Sequence, residues 1–140
     1  MLKITHTALL LTLLGAGTAF AADTKVIDHH LTAIKAGNLE GVLSDYAPDV
    51  VIVTTPGMLS PDGVFIGPQI RKMFATLTDK DHLPGVKTLQ TRYQAAGADT
   101  TIMHWVQEKG TAKEVSGYDV FVVRGGKIVF QSVTLGAAKK

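Results

Sequence analysis

The chain has 140 residues, 46% hydrophobic and 19% charged, a balance that suits one globular core and excludes a disordered or fibrous chain. Its 14 Lys and Arg against 12 Asp and Glu leave a formal charge of +2, scattered along the sequence. That argues against nucleic-acid binding, which needs basic residues gathered on one face, and the absence of cysteine excludes disulfides, zinc–thiolate sites and a cysteine nucleophile.

Residues 1–21 read as a cleaved secretory signal. Lys3 gives a positive start, Leu9, Leu10, Leu11, Leu13 and Leu14 form an apolar centre, and Ala19-Phe20-Ala21 puts small residues where a signal peptidase reads. The apolar run is about 14 residues, short of the ~20 needed to cross a bilayer, so cleavage after Ala21, or after Ala22, is expected instead of a retained anchor. The mature domain, residues 22–140, is then periplasmic or secreted and has no membrane attachment.

Residues 23–36 are expected to be helical, since Val26, Ile27, Leu31 and Ile34 fall near a 3.6-residue period and Gly37-Asn38 breaks the pattern. A second short helix over 39–46 places Leu39, Val42, Leu43 and Tyr46 on one side. Residues 50–55 are all β-branched and read as a strand. Pro56-Gly57 and Pro61-Asp62-Gly63 are turn signals on either side of a loop, and Val64-Phe65-Ile66 is a brief strand. Pro68 suits a helix start, and Ile70, Met73, Phe74 and Leu77 make an i, i+3, i+4, i+7 stripe, so a third helix is expected over 68–78. After a loop over 79–85 come four strands, 86–96, 100–109, 111–124 and 127–135, with turns at Gly97-Ala98-Asp99, Lys109-Gly110 and Gly125-Gly126. Helices first and then an antiparallel meander is an α+β order, with three N-terminal helices packed on a curved, mainly antiparallel sheet.

Three strings resemble the nuclear transport factor 2-like superfamily, which includes SnoaL-like polyketide cyclases, ketosteroid isomerases and scytalone dehydratase. They are Ala36-Gly37-Asn38-Leu39-Glu40 running on to Tyr46-Ala47-Pro48-Asp49-Val50, then Gly63-Val64-Phe65-Ile66-Gly67-Pro68-Gln69-Ile70, and finally Tyr118-Asp119-Val120-Phe121-Val122-Val123-Arg124-Gly125-Gly126-Lys127-Ile128. Together they cover nearly all of residues 22–140. The resemblance implies a cone-shaped half-barrel, its sheet curled around the first helix to enclose an apolar pocket, and a homodimer through the back of the sheet. Members of the superfamily include enzymes, binding modules and oligomerisation domains, so fold alone does not give the function.

Ketosteroid isomerases place a carboxylate base just before a proline that follows the first strand. They add an oxyanion site made of a helix-one tyrosine and a strand acid kept protonated by apolar surroundings. In this sequence Thr55 stands at the base position, before Pro56, and a hydroxyl cannot unaided take a proton from carbon. Steroid isomerisation is therefore not the expected function. The strand acid corresponds to Asp119, which by alternation shares a face with Phe121 and Val123. An aspartate there must be paired or protonated; the alternative is an outward residue in a salt bridge to a lysine. The tyrosine position corresponds to His30, a residue able to move a proton near neutrality, while adjacent His29 cannot face the same pocket.

Counting across Lys109-Gly110 puts Ile102, His104 and Val106 on the Asp119 face. Met103 and Trp105 then lie on the back, where a dimer partner would cover them together with Tyr93. The expected acid/base residues are His30, His104 and Asp119. The expected ligand-binding residues are Tyr46, Val53, Thr55, Ile102, Phe121, Gln131 and Val133, with Gln131 as a polar handle. No cofactor and no metal is expected: paired metal ligands on one helix need His at a spacing of three or four, and no G-x-G-x-x-G, Walker or G-x-S-x-G pattern occurs.

These readings leave three functions open. The first is an exported domain that binds a small, largely apolar molecule without chemistry, favoured by Thr55. The second is a cofactor-independent acid/base enzyme of the SnoaL-like cyclase, isomerase or dehydratase kind, and the third a structural dimerisation module.

Overall fold

The computed structural model describes residues 24–136, so the expected signal over 1–21 lies outside the described residues. The chain forms helices α1 (Lys25–Lys35) and α2 (Leu39–Ser44), then strands β1 (Tyr46–Thr54) and β2 (Val64–Ile66). A 3-10 turn, Gly67–Gln69, opens α3 (Ile70–Leu77); α4 (Leu83–Lys87) follows, then β3 (Gln90–Ala95), β4 (Thr100–Gln107), β5 (Val115–Arg124) and β6 (Lys127–Leu135). The six strands form one open mixed sheet in the order β2-β1-β6-β5-β4-β3. Only β1 and β6 pair in parallel; the other pairs are antiparallel. This is the expected cone-shaped α+β architecture, with helices laid across the concave face.

The core lies between α1, α3 and that face. Ile27, Leu31 and Ile34 of α1 and Met73 and Phe74 of α3 are buried against Val50 and Ile52 of β1, Met103 of β4, Phe121 of β5 and Ile128 of β6. Burying one such side chain stabilises the fold by about 1.5–3 kcal/mol relative to leaving it exposed. Asn38 caps α2, its side chain accepting from the Gly41 amide at 3.0 Å.

Three boundaries differ from expectation. Tyr46 opens β1 instead of closing α2, and its side chain points into the core. Residues 83–87 form a helix where a loop running into a strand was expected, because Pro84 sits in the first helical turn, where its missing N–H costs nothing. The link between β4 and β5 is not a tight turn at Lys109-Gly110 but a loop over residues 108–114, opened by Glu108 at a left-handed φ of 48°.

That loop changes the pairing parity and so reverses a whole strand face. Met103 is opposite Asp119 and Trp105 opposite Gly117, so Met103 and Trp105 lie on the inner face. His104 pairs with Tyr118 and Ile102 with Val120, on the outer face. The expected placement of Ile102, His104 and Val106 beside Asp119, and of Met103 and Trp105 on the back, is therefore overturned. Tyr93, opposite Met103, is also on the inner side, where its hydroxyl donates to Asp28 Oδ1 at 2.6 Å.

Candidate functional site

Between α1, α3, α4 and the concave sheet lies a cleft of about 320 Å³. Its walls are apolar: Leu31 and Ile34 from α1, Phe74 and Leu77 from α3, Val86 from α4, and Val133 and Leu135 from β6. Three methionines, Met58, Met73 and Met103, join them, Met58 arriving on the loop between β1 and β2. The polar residues reaching this space are His30, Asp119 and Gln131, all buried, with His82 and Gln107. No Lys or Arg lines it among the described residues.

Asp119 is 6% exposed. Its Oδ1 accepts from the Trp105 indole N–H at 2.8 Å, and its Oδ2 from the Gln131 amide at 2.8 Å. The Tyr46 hydroxyl donates to Gln131 Oε1 at 2.5 Å and fixes which end of that amide faces the carboxylate. Donors therefore run inward from Tyr46 through Gln131 to Asp119, with Trp105 meeting them from β4. Burial pushes the Asp119 carboxyl up to about 7, against the opposing pull of the Trp105 and Gln131 hydrogen bonds. Burial also pushes the Tyr46 phenol well above its ordinary value, helped by the nearby Asp119 carboxylate, so it stays neutral.

His30 is 3% exposed and packs edge-on against Tyr46, Phe74 and Phe121, with ring centroids 5.5, 5.4 and 6.1 Å away. Burial, with adjacent His29 as a smaller cause, lowers its pKa to about 4, so the ring is neutral near pH 7. Its Nδ1 is buried without a hydrogen-bond partner. His29 turns outward to Asp45, 2.8 Å away, as adjacent positions on a helix require.

Of the expected residues, the structure brings His30, Asp119, Gln131 and Val133 to one cleft. Tyr46 stands behind Gln131, and Phe121 behind His30, packed in the core and not against the open space. Val53 is on the outer face, because Val50, Ile52 and Thr54 take the inner positions of β1. Thr55 lies beyond the strand end, exposed, while Thr54 faces inward. His104 is set against Tyr118 and Gln94, away from Asp119, and takes no part in the cleft. Asp119 is not salt-bridged to a lysine; its partners are Trp105 and Gln131.

Trp105 was assigned to the wrong face and Gly117 was not singled out, yet the two work together. A Cβ at Gly117 would lie 2.6 Å from Trp105 Cζ2 and 2.2 Å from the Thr134 carbonyl oxygen. The missing side chain lets the indole lie across β5 and reach Asp119. A glycine inside a strand is a sequence signal for such close approach.

Among the described residues no cluster of His, Cys, Asp or Glu is arranged to hold a metal ion, and no helix is long and apolar enough to cross a membrane.

The model of the SnoaL-like domain family matches residues 27–131. No curated protein matches the chain. Among solved structures, a SnoaL-like protein of unknown function from Burkholderia thailandensis E264 is similar, with a TM-score of 0.59 and 21% identity over 86% of this chain and 98% of that one. TerC, co-crystallised with polyporic acid, has a TM-score of 0.58 and 21% identity over 79% of this chain and 88% of its own. SalBIII, an epoxide hydrolase/cyclase-like enzyme of pyran ring formation in salinomycin, has a TM-score of 0.60 and 14% identity over 81% and 89%. At these identities the likeness is one of fold.

Proposed function

We propose, from the premise that this chain belongs to the SnoaL-like domain family, that the cleft binds a small, largely apolar molecule with its polar end against Asp119. The observation that carries this reading is a buried carboxyl in the wall of an otherwise apolar cleft, with no charged side chain beside it. A concave apolar site with a few convergent polar groups is the usual form of a small-molecule site. Two proteins of similar fold are associated with small organic molecules, TerC having been co-crystallised with polyporic acid and SalBIII being described in pyran ring formation.

Acid/base chemistry is a second reading, favoured by one observation. With its pKa near 7, Asp119 is divided between acid and carboxylate at neutral pH, where proton transfer either way is easiest. Trp105 and Gln131 hold both oxygens in place, and each oxygen keeps a second lone-pair site for the proton. Neutral His30 is the other group able to carry a proton there. Native mass spectrometry of residues 22–140, purified gently, tests the binding reading. A co-purifying small molecule that is weakened by Asp119→Asn is the expected result. A bound molecule indifferent to that change would sink the assignment of Asp119, and turnover of an identified molecule would decide for the enzyme.

The domain is proposed to act after export, in the periplasm or outside the cell, and as a homodimer. The outer face supports the second point: Val53, Val64, Ile66 and Tyr118 are exposed there, Ile66 by 54%. Light scattering that gives a monomer at micromolar concentration refutes the dimer.

A further inference from the structure

Two groups of the cleft, Asp119 and His30, keep hydrogen-bonding capacity that narrows what it receives. The Tyr46 O–H is spent on Gln131 Oε1, one Gln131 N–H on Asp119 Oδ2, and the Trp105 N–H on Asp119 Oδ1. A carboxylate has about four lone-pair sites, so Asp119 keeps acceptor capacity toward the cleft. His30, whose Nδ1 is buried without a hydrogen-bond partner, lines the same space. In the neutral tautomer protonated on Nε2, Nδ1 is an acceptor for an arriving donor. The lining's other side-chain donors are the second Gln131 N–H and the Gln107 and His82 side chains, so Asp119 and His30 are the acceptors left for a ligand's own donor.

The charge balance points the same way. The titratable groups in and just behind the cleft wall are His30 from α1 and Tyr46 from β1, both neutral near pH 7, and His82 at the start of α4, whose Nδ1 is 2.9 Å from Asp79; α3, β4 and β6 add no Lys or Arg. An anionic ligand would meet Asp119 with nothing to offset it. A buried carboxylate is stable when a cation pairs with it, and none pairs with Asp119 among the described residues. The walls suit the organic part of such a cation: Trp105 and Phe74 are aromatic, and Met58, Met73 and Met103 are polarisable and adaptable.

We infer that the cleft selects an amine, an apolar or aromatic body ending in a primary ammonium group whose N–H donors go to Asp119 and to His30 Nδ1. The inference rests on the reading of the cleft as a small-molecule site. It separates this chain from a binder of carboxylates or of neutral alcohols, and it makes binding depend on an ionised Asp119 and a protonated amine.

The test uses three indoles of one shape: tryptamine, indole-3-ethanol and indole-3-acetate. Each competes for residues 22–140 against Nile red, an uncharged dye whose emission rises in apolar sites. At about pH 8.5 tryptamine is expected to bind roughly tenfold or more tighter than indole-3-ethanol. At about pH 5.5 that preference is expected to disappear, because Asp119 is then protonated. Asp119→Asn is expected to bring tryptamine down to the level of the alcohol. If that variant does not fold, the pH comparison on the wild-type protein carries the test. Indole-3-ethanol or indole-3-acetate binding as well as tryptamine at the higher pH overturns the inference and leaves the binding reading standing. So does dye binding that none of the three displaces at millimolar concentration. A protein that takes up neither the dye nor any indole, judged also by amide chemical shifts, overturns both.

Discussion

Asp119→Asn and His30→Leu are expected to tilt the pH dependence of stability in opposite directions. Asp119 has its pKa raised from 3.8 to about 7 in the folded protein. The folded state then holds a proton that the unfolded chain has released, so stability is lost as pH rises between those values. The whole shift is worth roughly 4 kcal/mol. His30 is lowered from 6.5 to about 4, so the unfolded chain takes up a proton that the folded state refuses. Stability is lost as pH falls through that window, roughly 3 kcal/mol in all. Between about pH 4 and 6.5 the two slopes, each about 1.4 kcal/mol per pH unit, oppose and nearly cancel in the wild-type protein.

Removing one group exposes the other. Urea unfolding of the three proteins at pH 4.5, 5.5 and 6.5 measures this. Relative to wild type, Asp119→Asn should lose stability toward pH 4.5, and His30→Leu should lose it toward pH 6.5. Carboxylates outside the core such as Asp62, Asp79 and Asp99 are common to all three and drop out of the differences. Asn at 119 is accommodated by reversing the network: its N–H₂ donates to a flipped Gln131 amide, which then donates to the Tyr46 oxygen. Difference curves flat with pH would refute the reasoning, since they would mean that Asp119 and His30 are hydrated and not buried.

Tyr46→Phe is expected to cost about 1–2 kcal/mol in urea unfolding, because it leaves buried Gln131 Oε1 without its donor; no loss would make Tyr46 a packing residue only. Gly117→Ala should cost about 2–3 kcal/mol through its clash with Trp105 and the Thr134 carbonyl, and should red-shift the fluorescence of the chain's one tryptophan as the indole leaves its seat. An unshifted spectrum counts against that seat. Expression of residues 1–140 in a bacterium should give an intact mass that starts at Ala22, or at Asp23; a cytoplasmic protein that keeps Met1 and Leu2 refutes the signal.

Much of the architecture is legible in the sequence because it rests on local periodicity. The α1 and α3 stripes and the β-branched run 50–54 each bury the face their spacing marks. The inward turn of His30 follows from its neighbours Ile27, Leu31 and Ile34 on the same side of α1. Strand faces opposite a loop are another matter, because their parity depends on the number of residues the loop consumes. Glu108 in a left-handed conformation lets residues 108–114 leave the ladder, and every residue of β4 changes side. That one event moved His104 out of the site and Trp105 into it. Val53 and Thr55 were misplaced by a related shortcoming: composition marks a strand but not which of its residues face in.

The parallel seam between β1 and β6 joins the first long strand of the domain to its last. The hydrogen bond from Tyr46 to Gln131 that anchors the cleft floor spans 85 positions. Helices and the β3–β6 meander can form from neighbours in sequence, but the cleft cannot exist until its final strand has docked. Contacts of such long range are slow to form, since the loop between them must close before they return any stability. A nascent chain therefore has no complete cleft until β6 has emerged. Until then its apolar strands stay open to solvent, and to whatever escort the chain meets on the way.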